Sequence, residues 1–241
     1  MVEDGFRMLN FKKKIALTGG NSRFAKTLKK NFFGKNIIYL NKNDFDILNF
    51  KKINSFLKKN QIKILVHLAG LSRPMFKHEK YINESIDKNI IGTSNVVKAC
   101  NNNNVKLIFF STNYVYPGLK GPYSEDSALK PFNNYGWSKL GAESAVRLYK
   151  NSLILRICMT EKPFLHKYAF TNVTTNFMFH EDLAKNFFKI IHKKGIINVG
   201  GKRLSVYNFV KKFNKNIKKI KSKNKELDQS MNVEKYNNII C

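Results

Sequence analysis

Residues 14–25 have the sequence KIALTGGNSRFA, and this stretch decides the fold. It predicts a short apolar strand over Lys14–Thr18, a turn of small residues and then a helix over Phe24–Asn31. Such a turn lets backbone N–H groups approach a diphosphate, which then sits at the N-terminus of the helix. Ser22 and Ala25 stand where the second and third glycines of this turn are expected, and both are small. The stretch therefore predicts the start of a dinucleotide-binding fold.

The chain continues to alternate apolar runs with helical stretches as far as Ile157. The runs are apolar throughout rather than at every second position, which is typical of parallel strands covered by helices on both faces. This pattern predicts an α/β fold, a Rossmann-type doubly wound parallel sheet. The further strands predicted are Asn36–Leu40, Ile64–Leu68, Lys106–Ser111 and Ser152–Ile157. The further helices predicted are Ile53–Lys59, Asn83–Cys100 and Tyr135–Lys150.

The pattern loosens after Cys158. Residues 162–177 have no clear period, and residues 215–241 are polar and rich in Lys and Asn. We expect a dinucleotide-binding Rossmann domain over residues 14–157. Residues 158–241 are expected to form a small C-terminal substrate-binding lobe with a polar tail, whose strands and helices can interleave with the first domain. The elements predicted in this lobe are a helix over Glu181–His192, a strand over Ile196–Val199 and a helix over Ser205–Asn214.

The net charge of the chain is strongly positive. Its 44 Lys and Arg residues against 16 Asp and Glu residues give a formal charge of +28. Such a charge attracts polyanions, with nucleic acid first among them. The lysines are spread along the whole chain, however, and Lys, Asn, Ile and Phe all have AT-rich codons, so compositional drift explains the excess better. No helix-turn-helix pattern or aromatic–basic recognition motif accompanies the charge, and we predict no nucleic-acid partner.

Three further features bear on location and on metals. No apolar run approaches the about 18 residues that a membrane span needs, so no membrane partner is expected. The first residues, MVEDGFRMLNFKKK, lack the apolar core and the cleavage site of a secretory signal. Cys100, Cys158 and Cys241 show no metal-binding or redox spacing. We therefore expect a cytoplasmic protein with reduced cysteines and no metal site.

A constellation of polar side chains predicts carbonyl chemistry. Thr112 follows the fourth predicted strand, and Tyr135 and Lys139 lie four residues apart on one face of the next helix. Reduction of a ketone places a hydride on carbon and a proton on oxygen. A lysine ammonium beside a tyrosine is expected to lower the tyrosine pKa from about 10, which suits proton transfer. The Thr112 hydroxyl is expected to hold the substrate oxygen against the tyrosine.

Two basic residues indicate which dinucleotide is bound. Lys42 follows the second strand about 20 residues after the glycine turn, where the adenosine ribose is read, and no acidic residue occupies that position. Lys42 and Arg23 are therefore candidates for binding a 2′-phosphate, which favours NADP, with NAD as the alternative. Ala69 and Gly70 follow the third strand and allow a cofactor to pass close to the backbone.

The central run carries a resemblance to a known family. Residues 111–118 are STNYVYPG, residues 121–125 are GPYSE and residues 134–140 are NYGWSKL. With these segments the chain resembles the extended short-chain dehydrogenase/reductases and, among them, the dTDP-4-dehydrorhamnose reductases, over about residues 14–213. Those reductases usually have Asp where this chain has Asn113. Further matches are Asp46-Ile47, His67-Leu68-Ala69-Gly70, Asn89, Gly92-Thr93, Leu155-Arg156, His180-Glu181-Asp182-Leu183-Ala184 and Gly195–Gly201.

The resemblance implies roles for individual residues. It implies Thr112, Tyr135 and Lys139 as the catalytic triad, with Lys139 also contacting the nicotinamide ribose. It implies Tyr114 and Asn113 near the sugar of the substrate. The residues that the resemblance and the patterns above assign to the cofactor are Gly19, Asn21, Ser22, Arg23, Phe24, Lys42, Asp46, Ile47, Ala69, Gly70, Tyr135 and Lys139.

The leading functional prediction is NAD(P)H-dependent reduction of a keto group on a nucleotide-linked 4-keto-6-deoxy sugar. The expected partners are that nucleotide-diphosphate sugar and a second copy of the chain in a homodimer. Two alternatives are an epimerase of nucleotide sugars from the same family and a non-catalytic, NADP-binding regulatory subunit. Related dehydratases place acidic residues directly after the Thr, where Asn113 and Tyr114 stand here, and this argues against dehydration. Met159 stands where the reductases tend to have Trp, so the exact sugar stays open.

Overall fold

The structure, a computed structural model, describes residues 14–31, 36–223 and 226–241. Residues 1–13, in which no secretory signal is expected, lie outside the described residues. No helix within the three described ranges has the length and apolar character needed to cross a membrane.

The elements follow each other in an alternating order for most of the chain. The strands are β1 (Ile15–Thr18), β2 (Ile37–Leu40), β3 (Ile64–His67), β4 (Lys106–Thr112), β5 (Ser152–Ile157), β6 (Met159–Thr160), β7 (Tyr168–Phe170), β8 (Val173–Thr175), β9 (Met178–Phe179), β10 (Gly195–Val199), β11 (Leu204–Ser205), β12 (Lys218–Ile220) and β13 (Leu227–Asp228). The α-helices are α1 (Arg23–Asn31), α2 (Phe50–Lys59), α3 (Phe76–Lys80), α4 (Ile82–Ser85), α5 (Gly92–Asn102), α6 (Asn134–Arg147), α7 (His180–Ile190), α8 (Val206–Lys211) and α9 (Glu234–Ile240). A π-helical turn covers Ile86–Ile91, and a 3-10 turn covers Asn113–Val115.

The main sheet contains six parallel strands in the order β10-β5-β4-β3-β1-β2. Helices α1, α7 and α9 cover one face, and helices α2, α5 and α6 cover the other. This arrangement confirms the predicted Rossmann-type, doubly wound α/β fold. The chain leaves β1 toward one edge of the sheet and later continues from β3 toward the other edge. The carboxyl ends of β1 and β3 therefore form the switch point at which such folds bind ligands.

Burial on both faces explains why the strands are apolar throughout. Leu17 and Val66 lie in the core beneath α1 and α7, whereas Ala16 and Leu65 lie in the core beneath α2 and α5. All four side chains are 0% exposed. Because neighbouring side chains on a strand point to opposite faces, both sets of positions must be apolar when both faces are covered.

The long helix predicted over Asn83–Cys100 is divided in the structure. The π-helical turn at Ile86–Ile91 separates α4 from α5. A π turn adds a residue to the helix and often marks a functional site. The turn contains Asn89, which is 2% exposed and hydrogen-bonds to Leu71 and Ser138. The apolar pattern of the sequence did not predict this turn.

The C-terminal third is more ordered than the sequence predicts. Strand β10 joins the main sheet beside β5, and α7 packs against α1, so this part interleaves with the first domain. Residues 162–177, where no period was found, contain β7 and β8. The tail over residues 215–241 was predicted to be polar, yet it contains β12, β13 and α9 and buries Met231 and Tyr236. Elements of two or three residues are too short for a period to appear. The division at residue 157 stays a prediction.

A buried ion pair joins β5 to α6. Arg156 Nη2 lies 2.8 Å from Glu143 Oε2, and the two side chains are 1% and 0% exposed. The Ser111 hydroxyl donates to Glu143 Oε1 at 2.5 Å. Arg156 Nη1 donates to the Tyr116 hydroxyl at 2.8 Å. The network therefore fixes α6 against the carboxyl ends of β4 and β5.

Removing one partner of this pair is expected to destabilise the protein strongly. Arg156→Met leaves the Glu143 carboxylate buried without its cation, and breaking a buried pair typically costs about 3–5 kcal/mol. We expect urea denaturation to show a loss of that size in the free energy of unfolding. The double variant Arg156→Met/Glu143→Leu should recover part of the loss because it also removes the unpaired charge. A double variant that is no more stable than the single one would contradict the charge argument.

Candidate active site

The turn after β1 holds two segments of backbone close together. Gly19 has a φ of +66°, and a Cβ at this position would lie 3.0 Å from the backbone nitrogen of Ala69. A Cβ on Gly20 would lie 2.8 Å from the carbonyl carbon of Tyr39. The left-handed φ and the narrow space together require glycine at position 19. Because Ala69 follows β3, this turn sits at the switch point of the sheet.

Ser22 replaces the second expected glycine and caps helix α1. Its Oγ accepts a hydrogen bond from the backbone N–H of Ala25 at 3.3 Å. Serine is a favoured capping residue because its oxygen pairs with an N–H that has no partner within the helix. Serine at this position therefore stabilises the N-terminus of α1, which a glycine would leave without this hydrogen bond. Arg23 is the first residue of α1.

A cavity of about 960 Å³ lies where the carboxyl ends of β1, β3, β4 and β5 meet the C-terminal segments. Its volume falls at the upper end of the range of about 300–1,000 Å³ that is usual for small-molecule sites. It brings together residues from the glycine turn, from the loop after β3, from the end of β4 and from α6. The predicted site residues that line it are Asn21, Ser22, Arg23, Phe24, Ala69, Gly70, Thr112, Asn113, Tyr114, Tyr135 and Lys139.

Four residues predicted at the cofactor are not part of the lining. Gly19 lies against the backbone of Ala69, to which a Cβ at this position would come within 3.0 Å. Lys42 is exposed in the loop after β2. Ile47 is 8% exposed and belongs to the core beneath α2 and α5, and Asp46 beside it is partly buried. Their roles in cofactor binding stay predictions.

Local packing fixes Tyr135 at the start of α6. Asn133 caps the helix, since its Oδ1 accepts from the backbone N–H of Gly136 at 2.8 Å. A Cβ on Gly136 would collide with the carbonyl oxygen of Tyr114, so glycine is required for the helix to begin here. The Tyr135 ring centroid lies 5.0 Å from that of His78 and 6.0 Å from that of Tyr114. These contacts hold the aromatic ring at the cavity wall.

The Tyr135 hydroxyl is hydrogen-bonded to Thr112. Burial raises the pKa of Tyr135 to about 12, and the bond to Thr112 and the positive charge of Arg73 oppose this shift only in part. The Thr112 oxygen also accepts from the backbone N–H of Tyr114 at 3.3 Å, which fixes its position. Tyr135 is therefore protonated at neutral pH and available as a proton donor.

Lys139 lies one helical turn beyond Tyr135 and is 8% exposed. Its Nζ is 4.0 Å from the centroid of the Phe109 ring. Burial lowers the pKa of Lys139 to about 7, and the Glu143 carboxylate opposes this shift. The prediction that the pKa of Tyr135 lies below its usual value is wrong. Burial of the tyrosine hydroxyl disfavours the phenolate and outweighs the opposing charges and hydrogen bonds.

Asn89, in the π-helical turn, connects the loop after β3 to α6. Its Oδ1 accepts from the backbone N–H of Leu71 at 2.7 Å, and its Nδ2 lies 2.9 Å from the Leu71 carbonyl oxygen. The same Nδ2 lies 2.8 Å from Ser138 Oγ. The Gly70 backbone passes close to this amide, since a Cβ there would lie 2.8 Å from Oδ1. Asn89 therefore sets the spacing between two walls of the cavity.

Several residues that line the cavity were not predicted from the sequence. Arg73 and Glu161 lie in loops without a period, although Arg73 follows the carboxyl end of β3 closely, and that position was a usable signal. Gln229 lies in the tail, and its carbonyl oxygen accepts from Asn113 Nδ2 at 3.4 Å. The missed residues that line the cavity include Arg73, Glu161, Phe164, His180, Leu227 and Gln229.

Comparison with known sequences gives one family and several partial relatives. The family described as RmlD substrate binding domain matches residues 13–164. The dTDP-D-glucose 4,6-dehydratase of Dictyostelium discoideum is 28% identical over 188 residues, which are 62% of this chain and 43% of that protein. Methionine adenosyltransferase 2 subunit beta of Xenopus tropicalis is 30% identical over 114 residues, 46% of this chain and 34% of that protein. The chain thus spans less than half the length of these relatives.

Comparison with solved structures gives the same architecture. The dTDP-4-dehydrorhamnose reductase of Bacillus anthracis in complex with NADP has a TM-score of 0.81 at 20% identity, covering 94% of this chain and 91% of that one. The UDP-Glc/GlcNAc 4-epimerase of Campylobacter jejuni has a TM-score of 0.74 at 18% identity, covering 94% and 92%. At these identities the likeness shows the fold.

The buried Lys139 is expected to make stability depend on pH. Its pKa is about 7 in the folded protein and about 10.4 in an unfolded chain, so unfolding takes up a proton between these values. The free energy of unfolding contributed by this group should therefore rise with pH from about 7 to about 10. Lys139→Met removes the buried charge and should raise the free energy of unfolding below pH 7 by up to about 4 kcal/mol, the linkage value of a pKa lowered by about three.

Urea denaturation at several pH values checks this expectation, and the gain should shrink as the pH approaches 10. Lys185→Met, at an exposed position of α7, is the matched control and should show no gain that varies with pH. A gain for Lys139→Met that stays constant across the range would contradict the assigned pKa.

Proposed function

Because the chain belongs to the RmlD substrate-binding-domain family, we propose that it catalyses the NADPH-dependent reduction of a keto group on a nucleotide-linked 4-keto-6-deoxy sugar. The observation that carries the proposal is that Thr112, Tyr135 and Lys139 line one cavity together with Asn21 and Ser22 of the glycine turn. The cavity therefore combines a proton donor with a turn suited to a diphosphate. The resemblance to dTDP-4-dehydrorhamnose reductases and the NADP bound to the Bacillus anthracis reductase support the choice of reaction and cofactor.

The residues present fit a dinucleotide. The left-handed Gly19 lets the turn pass close to the backbone of Ala69, where any larger side chain would clash, and Ser22 caps the start of α1 at the cavity. A diphosphate is favoured at this helix N-terminus, while Ala69 and Gly70 present little side chain along the route toward Lys139. Bound NADPH would supply the hydride for the reduction. Lys139 would hold the nicotinamide ribose.

Tyr135 would act as the proton donor to the substrate oxygen. Its raised pKa keeps the hydroxyl protonated at neutral pH, which is the state that reduction requires. Thr112 would hold the substrate oxygen beside Tyr135, since its own oxygen is already oriented by the Tyr114 N–H. Tyr114 and Asn113 would contact the sugar, as both line the cavity next to Tyr135.

A non-catalytic, NADP-binding regulatory subunit is the second candidate. The similarity to methionine adenosyltransferase 2 subunit beta favours it, because that name denotes a subunit. An epimerase would use the same cavity. Dehydration is disfavoured despite the dehydratase relative, because Asn113 and Tyr114 lack the acidic groups that such a reaction needs. The homodimer and the cytoplasmic location stay predictions.

The proposed reaction predicts a selective loss in Tyr135→Phe. General acid–base groups typically contribute about 10²–10⁴-fold, so turnover should fall by that factor while NADPH affinity stays nearly unchanged. Lys139→Met should reduce both turnover and affinity. Consumption of NADPH with a panel of nucleotide 4-keto sugars measures turnover, and calorimetric titration measures affinity. Wild-type protein that binds NADPH but oxidises none of it with any sugar of the panel would favour the regulatory subunit.

The cofactor assignment predicts tighter binding of NADPH than of NADH. Lys42 is exposed, and an exposed ion pair contributes about 0.2–1 kcal/mol, so Lys42→Met should weaken NADPH binding by up to about fivefold. NADH binding should not change, because NADH lacks the 2′-phosphate. Titration of both cofactors into both proteins decides the matter. Tighter binding of NADH by the wild type would show that Lys42 only belongs to the general lysine excess.

A further inference from the structure

Two arginines share one carboxylate at the cavity wall. Arg23 Nη1 and Arg73 Nη1 both contact Oε1 of Glu161, the second of them at 2.5 Å. All three residues line the cavity. Arg23 begins α1, Arg73 lies in the loop after β3, and Glu161 follows β6, so three separate parts of the chain converge here. We call these three residues the arginine–glutamate cluster.

The exposure of the cluster shows that its ion pairs are easily broken. The Arg23 and Arg73 side chains are 55% and 46% exposed, whereas Glu161 is only 15% exposed. Ion pairs of half-exposed side chains contribute little to stability because water and salt screen them. Both guanidinium groups therefore exchange partners at low cost when a stronger anion enters the cavity.

A diphosphate is the anion that the arginines fit. Guanidinium groups bind phosphate oxygens through two parallel N–H donors, and two of them converging on one acceptor suit a group with several charged oxygens. Arg23 also stands directly at the N-terminus of α1, where the helix dipole favours a phosphate. Glu161 offers a single negative charge in the same place.

We propose that Arg23 and Arg73 form a diphosphate subsite that the Glu161 carboxylate occupies until a ligand displaces it. The inference rests on the proposed function for the identity of the ligand. The diphosphate belongs either to the dinucleotide or to the nucleotide sugar, and both present the same chemistry to the cluster. Glu161 lowers the affinity for either ligand, because its ion pairs must be broken and its charge repels the incoming diphosphate.

Competition between Glu161 and the ligand for Arg73 predicts that the effects of substituting the two residues on ligand affinity are not additive. In the wild type, Arg73→Met removes a ligand contact but also an ion pair of the free protein, so the two losses partly cancel. In a Glu161→Gln background there is no ion pair to lose, and Arg73→Met should weaken binding by a larger factor. Charge effects that do not involve contact would be additive across the two substitutions.

The experiment titrates inorganic pyrophosphate, NADPH and dTDP separately into the full-length protein by calorimetry. The proteins compared are the wild type, Glu161→Gln, Arg73→Met, the double variant and Glu181→Gln. Glu181 is exposed in the first turn of α7, so its substitution makes the same change in charge outside the cluster. Urea denaturation of each variant verifies that folding is retained.

Glu161→Gln is expected to bind pyrophosphate about 2- to 30-fold more tightly, the factor that corresponds to two exposed ion pairs. Glu181→Gln should bind it like the wild type. Equal affinities of Glu161→Gln and wild type for pyrophosphate, or an equal gain in Glu181→Gln, would overturn the inference. A gain for NADPH alone assigns the subsite to the dinucleotide, and a gain for dTDP alone assigns it to the nucleotide sugar.

The two proposals fail in different ways. If NADPH binds equally well to wild type and Glu161→Gln, and pyrophosphate likewise, the inference fails while dinucleotide binding stands. If Glu161→Gln gains affinity for pyrophosphate but neither protein binds NADPH or dTDP, the subsite stands while the proposed function fails.

Discussion

The buried ion pair between Arg156 and Glu143 is the interaction on which the site depends. Charges removed from water are costly unless they are paired and hydrogen-bonded, so the helix that carries Glu143 must lie where Arg156 on β5 can reach it. The hydroxyl of Ser111 adds the end of β4 to the same carboxylate. Glu143 is one turn beyond Lys139 and opposes the effect of burial on the pKa of Lys139. One carboxylate thus positions the helix and sustains the charge of the site.

The sequence predicted the parts of the fold that burial makes regular. Strands with both faces covered must be apolar throughout, and residues such as Leu17 and Leu65 therefore marked the sheet. The grouping of Thr112, Tyr135 and Lys139 at one cavity was predictable because Tyr135 and Lys139 are spaced for one helix face after a strand that ends in Thr112. The direction of the Tyr135 pKa shift was not predictable, because it depends on burial that only the folded chain creates.

The remaining parts of the site come from segments without a period. Arg73, Glu161 and Gln229 reach the cavity from loops and from the tail, where the strands are too short for a pattern to appear. Ser22 stands where a glycine is expected in the turn, and its hydroxyl oxygen caps α1 by accepting a hydrogen bond from the Ala25 N–H. The family match confirms the resemblance seen in the central run.

The strong positive charge of the chain does not by itself define the site. A formal charge of +28 is spread over the whole chain. The cations at the cavity, in contrast, are either ion-paired or buried. Arg23 and Arg73 are paired with Glu161, and burial lowers the pKa of Lys139 to about 7. Arginines without an ion-pair partner would bind many different anions. Because one carboxylate already occupies both arginines, the proposed subsite favours a ligand that offers more negative charge than Glu161 does.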